Sequence, residues 1–138
     1  MGKRRAAREL ALKLLFQVDL TETSISEALE SALKASSHDE ATISFACQLS
    51  EKILANLDEI NRLISKYTKD WPIDRMANVD RCLLRIAICE ILYFDDIPPS
   101  VSVDEAVELA KKYSTADSGR FINGVLGSLI KDLAGDIA

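Results

Sequence analysis

The longest apolar stretch of the chain, Cys82 to Phe94, is interrupted only by Arg85 and Glu90. It belongs to a segment, Asn78 to Phe94, that would be apolar on almost every side of a helix. A helix with no polar face leaves nothing to present to water and must be covered. The stretch falls short of the ~18–20 uninterrupted apolar residues of a membrane span. It is therefore expected to be the central helix of the fold, with the rest of the chain packed around it.

The surrounding sequence has helical period nearly throughout. Ala7, Leu10, Ala11, Leu14, Leu15 and Val18 recur at three- and four-residue spacings, one apolar stripe. Thr21-Glu22-Thr23 breaks that helix, and Ser24 to Glu27 fits a capping box opening a short helix to about Ala35. After a polar loop, a longer helix is expected from about Asp39 to Asn56, with Ile43, Ala46, Cys47, Ser50, Ile53, Leu54 and Leu57 inward. Asp58 would cap the next, which carries Ile60, Leu63, Ile64 and Tyr67. Trp71-Pro72 is a break, because proline disfavours helical dihedrals in the residue before it, and Pro72 suits a first helical position. Pro98-Pro99 would stop the central helix. Ser102 to Glu105 reads as a second capping box, opening a helix to about Tyr113. The last helix, from about Ser118 to Ala134, turns Phe121, Ile122, Val125, Leu126, Leu129, Ile130 and Leu133 inward. Ile97 to Val103 has some alternation, but its prolines favour an extended connector over a strand. An all-α bundle of six or seven helices is the expected fold.

At 138 residues the chain is expected to form one domain. Apolar residues make up 48% and aromatics only 6%, so the core should be aliphatic. A basic start without an unbroken apolar run does not make a signal peptide, and a soluble, cytoplasmic protein is expected. The cysteines agree. Cys82 and Cys89, seven apart on one helix, would be roughly 10 Å from each other, too far for a disulfide. Cys47, Cys82 and Cys89 read as buried thiols acting as small hydrophobes.

Little here is suited to catalysis. The lone histidine, His38, lies in a polar loop with no nucleophile motif. No metal-ligand spacing and no phosphate-binding glycine loop occurs, and no cofactor is implied. Gly124 and Gly127, one helical turn apart, would let a neighbouring helix approach closely. Asp104, Glu105 and Glu108 resemble a carboxylate cluster, but the first two suit a first helical turn and Glu108 can pair with Lys111 or Lys112. An enzyme is not expected.

Binding is better supported. Residues 1–13 carry Lys3, Arg4, Arg5, Arg8 and Lys13 against Glu9 alone. That is a net +4, leaving −9 on the remainder of a chain whose total is −5. Charge segregated this way can hold a polyanion at one place and repel it elsewhere. Cations at a helix N-terminus also oppose the macrodipole, a local conflict of the kind found at functional sites. Arginine makes planar bidentate contacts with phosphate. A second group, Lys111, Lys112, Tyr113, Asp117, Arg120 and Phe121, mixes cations and aromatics, the combination that stacks unpaired bases beside a bound backbone.

Three stretches carry a family resemblance. RRAARELALKLLFQVDL, from Arg4, resembles the N-terminus of NusB transcription antitermination factors. So do VDRCLLRIAICEILYFDDIPPSVSVDEAVELAKKYS (Val79 to Ser114) and DSGRFINGVLGSLIKDL (Asp117 to Leu133). The resemblance implies two packed helical sub-bundles and a non-enzymatic role in transcription antitermination and termination. It implies binding of single-stranded boxA RNA in nascent ribosomal RNA transcripts. The ribosomal protein NusE would be the partner, within a Nus-factor complex on RNA polymerase. By position, the start with Lys3, Arg4, Arg5 and Arg8 matches the family's RNA-contacting segment. Asp117 and Phe121 match its C-terminal RNA motif, Tyr113 matches an aromatic nearby, and Asp80 matches an acidic position on the NusE surface. Gly127 departs from the family, where Asp is common. Monomer and homodimer are both compatible with the resemblance.

Roughly four phosphates neutralised by the basic start would give a salt slope of about −3 on single-stranded RNA. That is modest, and suits a protein that needs a partner. The acidic remainder would attract a basic one. Two alternatives compete: a helical domain serving a ribosomal RNA methyltransferase, and a protein adaptor whose basic start binds an acidic protein. The RNA-binding reading requires the two ends of the chain to meet in space.

Overall fold

The computed structural model describes residues 2–21, 27, 39–68 and 71–137. Within them run six α-helices: α1 (Gly2–Thr21), α2 (Glu40–Ala55), α3 (Leu57–Tyr67), α4 (Asn78–Tyr93), α5 (Pro99–Tyr113) and α6 (Ala116–Ile137). A 3-10 turn at Ile73–Arg75 precedes α4. No strand occurs among the described residues. The short helix expected from Ser24 and the loop histidine His38 lie outside them, apart from Glu27.

The apolar segment is the central helix. α4 packs against each of the other five helices, and every residue from Cys82 to Glu90 is buried. α1 and α2 pack closely together, as do α5 and α6, and α4 joins the two groups as two sub-bundles sharing one helix. Leu83, Leu84 and Ile88 of α4 meet Leu14 of α1, Leu49 and Ile53 of α2, Ile60 and Ile64 of α3, and Ile122, Leu126 and Leu129 of α6 in one aliphatic core. Each such side chain contributes about 1.5–3 kcal/mol when fully buried. The two charges that interrupt the apolar run are buried with it. Arg85 donates to Asn61 Oδ1 at 3.0 Å, tying α4 to α3, and Glu90 receives a salt bridge from α1.

Side-chain caps set two helix starts. Asp39 caps α2 by accepting from the Thr42 N–H at 2.8 Å. Thr115 does the same for α6, accepting from the Ser118 N–H at 3.0 Å. Other ends differ from the sequence reading. Asp58 does not cap α3, which starts one residue earlier and leaves Asp58 in the first turn, where its charge still suits the macrodipole. Pro72 stands just before the 3-10 turn rather than at its first position. Pro98 and Pro99 do not stop α4, which has already ended at Tyr93; Pro98 caps α5 and Pro99 is its first residue. A missing N–H costs nothing there. The box at Ser102 therefore lies one turn inside α5, where capping is no longer needed, and both ends of the box are used elsewhere.

The glycine expectation also changes. A Cβ on Gly124 or Gly127 would meet nothing within 4 Å, so no helix crosses closely there. Gly119 is the packed one, facing Val107 and Lys111 of α5. All three cysteines are free; Cys82 and Cys89 are buried and Cys47 is half-buried. Burial, and then the Glu90 charge, push the Cys89 thiol up to about 12. Among the described residues no helix is long and apolar enough to cross a membrane.

Candidate nucleic-acid interface

The basic start is helical from Gly2 onward, so its arginines are fixed relative to one another. On the apolar stripe, Arg8 falls one turn before Ala11 and two before Leu15, which points it inward. Its side chain is 4% exposed. Arg8 Nε and Nη2 donate to the two carboxylate oxygens of Glu90 at 2.7 and 2.8 Å. Nη1 reaches Glu105 of α5 at 3.3 Å. Ser102 Oγ donates to Glu90 at 2.8 Å and completes the cluster. A fork-to-fork arginine–carboxylate pair is among the strongest side-chain contacts available, and burial raises the cost of breaking it. The cation that opposes the helix dipole is thus held by an anion on the central helix.

Arg5, one turn earlier, is 52% exposed, and its Nε donates to Glu105 at 3.0 Å. That hydrogen bond first, and the Glu105 charge second, raise the Arg5 pKa above its ordinary value. Arg4 lies 4.3 Å over the Phe45 ring and reaches Asp96 at 3.4 Å. Lys3 lies in the same helix; its side chain is outside the described set. On the next turn Glu9 accepts from Lys112 Nζ at 2.9 Å and from the Tyr113 hydroxyl at 3.1 Å. Burial pushes the Glu9 carboxyl up, but the Lys112 and Tyr113 hydrogen bonds and the Lys112 and Lys13 charges outweigh it and hold it below its ordinary value. The start of α1 and the end of α5 therefore meet, with Tyr113 exposed at the seam.

Asp117 and Phe121 gather at a second place. Together with Trp71, Met76, Ala77, Asp80 and Ser118 they line a cavity of about 510 Å³. Asp117 is exposed and paired with Arg120 one turn on, while Phe121 is half-buried against the core. Asp80 is 8% exposed and accepts from Ser118 Oγ at 3.0 Å. Its other oxygen has no hydrogen-bond partner among the described residues. Asp80 is thus a recessed carboxylate with one free acceptor, not part of an open face. Trp71, 54% exposed, is the most exposed large hydrophobic residue described. The hydroxyls of Ser114, next to Tyr113, and Ser118, at the cavity, lie 2.8 Å apart across the α5–α6 junction. No described contact brings Asp117 or Phe121 to the basic start, which meets Tyr113 alone of the three. No group of side chains suited to a metal ion occurs among the described residues.

Sequence reasoning missed Glu9, Glu90, Asp96, Glu105, Ser102 and Trp71. One signal was available: a carboxylate inside an all-apolar helix and an arginine on an apolar stripe each require a buried counter-charge.

The model of the NusB family matches residues 5–131. The chain belongs to the NusB family. The transcription antitermination protein NusB of Symbiobacterium thermophilum is 45% identical, over 96% of this chain and 92% of its own length. That of Bacillus subtilis is 44% identical, over 95% and 97%. Among solved structures, Thermotoga maritima NusB superposes with a TM-score of 0.85 at 38% identity, over 93% of this chain and 90% of its own. A chain from a crystal structure of the antitermination factors NusB and NusE in complex with double-stranded RNA gives 0.84 at 28% identity, over 96% and 98%. The relatives thus carry the name of a transcription factor, not of an enzyme, and the NusB matches span nearly the whole of each partner chain.

Proposed function

We propose that this protein is an RNA-binding transcription antitermination factor that engages the boxA element of nascent ribosomal RNA as a single strand. It acts with NusE inside a Nus-factor complex on RNA polymerase. The observation that carries this reading is the junction of the cationic start of α1 with Tyr113 at the end of α5, in a chain of the NusB family. Arg4 and Arg5, with Lys3, take the phosphates. Tyr113 and the cavity beside Phe121 take unpaired bases, since stacking on aromatic rings needs a base freed from its partner. Asp117 stands at the rim of that cavity. Asp80, buried beside Ser118, belongs to the NusE side of this reading by its match to the family alone. Arg8 holds the surface together from beneath and is not itself a contact.

The test is a titration of boxA RNA, with and without NusE, into the wild-type chain and an Arg4→Ala/Arg5→Ala variant. Wild type should bind more tightly with NusE present, and the variant should lose affinity in both conditions. Trp71, the sole tryptophan, should change its fluorescence on binding. A duplex competitor distinguishes the strand form. Unchanged affinity in the double variant would remove α1 from the site, and preference for the duplex would overturn the single-strand assignment.

A further inference from the structure

Four of the cations described at this interface already have an anion. Arg5 is held by Glu105, Arg4 by Asp96, Arg8 by Glu90 and Glu105, and Lys112 by Glu9. Those anions come from α4, α5 and the loop between them, except Glu9, which lies on α1 itself. Glu105 differs from the rest. It serves two arginines at once and, at 14% exposure, is held near them by burial, though less than Glu90. Arg8 has its bidentate pair with Glu90 besides its contact to Glu105. Arg5, half in solvent, makes its described hydrogen bonds to Glu105 alone.

We propose that Glu105 sets the phosphate affinity of this surface by competing with phosphate for the Arg5 guanidinium. The inference rests on the reading of α1 as the RNA face. A phosphate reaching Arg5 must displace a carboxylate already placed in the same fork geometry. Glu105 then keeps only its contact to Arg8, and the charge it regains attracts cations as the RNA loses one, which offsets the counterion release for that contact. Backbone contacts alone, which any RNA offers, are thereby weakened. Base contacts near Tyr113 displace no ion pair of Arg5 and keep their full strength, so the weakened backbone contact leaves binding dependent on a ligand that supplies them as well.

The experiment measures affinity against salt for two single-stranded probes, a short oligouridylate and boxA RNA, using the full chain. Glu105→Gln should bind both probes more tightly, by about fivefold at low salt, on the scale of one exposed ion pair. Its log–log salt slope should be steeper by about 0.7, one phosphate's worth on a single strand. The ratio of the two affinities should stay as in wild type, since each probe offers Arg5 a phosphate. Glu105→Asp keeps the charge but shortens the reach to Arg5, and should show part of the gain at unchanged net charge. In an Arg5→Ala background, Glu105→Gln should have no effect. Thermal melts followed by circular dichroism check that each variant is folded.

Equal affinity and slope for wild type, Glu105→Gln and Glu105→Asp, with RNA still bound, would overturn the competition and leave the RNA reading standing. So would an equal gain from Asp104→Asn, the exposed neighbour on the same helix, or a gain that persists without Arg5; either would make the effect general repulsion. A gain on boxA RNA alone would also overturn the competition, because both probes offer Arg5 a phosphate. No binding of either probe by any variant would overturn the RNA reading and the inference with it.

Discussion

Arg8 has the residue type of a phosphate contact and the position of a core residue. Three nitrogens of its guanidinium are taken by Glu90 and Glu105, and its side chain is 4% exposed. Removing one partner of such a pair leaves the other buried and uncompensated, which costs about 3–5 kcal/mol. Arg8→Ala should therefore lose about that much stability in urea denaturation, whereas Arg4→Ala, at a half-exposed site, should lose little. If Arg8→Ala unfolds at the wild-type midpoint, the buried pair does not contribute as described. Loss of RNA binding in an Arg8 variant thus reports on the fold, and the exposed Arg4 and Arg5 are the informative substitutions. The inward direction of Arg8 was legible from its place on the stripe. Its acceptor was not, since Glu90 lies 82 residues away.

At the scale of the element, apolar periodicity found the helices, and the helix ends were harder to read. Ser102 and Glu105 have capping-box spacing, and that spacing is also one turn of helix, so the same pattern serves two residues aimed at a neighbouring element. Ser102 reaches Glu90, and Glu105 reaches α1. Pro98-Pro99 could end one helix or begin the next, and the turn at residues 94–97 decided for the second. The glycines of α6 were open to the same ambiguity. Small residues one turn apart suggest a close crossing, yet Gly124 and Gly127 face open space. With no packing role, each carries only the entropic cost of glycine in a helix. Gly124→Ala and Gly127→Ala should each raise stability by about 0.5–1 kcal/mol in urea denaturation. A loss in either case would mean that the position packs against something.

Across the whole molecule the largest change concerns charge. Along the chain, +4 sits on the first 13 residues and −9 on the rest. In the fold, carboxylates from the acidic part are brought onto the basic start, and the expected excess is largely paired. Arg8 is withdrawn from the surface, and Arg4 and Arg5 must exchange one anion for another. The salt slope on single-stranded RNA should accordingly be shallower than the about −3 that four free cations would give. Affinities measured across a salt series check this, and a slope of −3 or steeper would mean that the pairs do not persist in solution. The sequence by itself determined the all-helical class, the central place of residues 78–94 and the inward stripes, because the hydrophobic pattern of a helix repeats every few residues and is written locally. Tertiary structure alone decided which charges remain available. Ion pairs that join residues 82 to 103 positions apart leave no periodic trace, and the charge a ligand meets is set by what the fold places beside each cation, not by what precedes it in the chain.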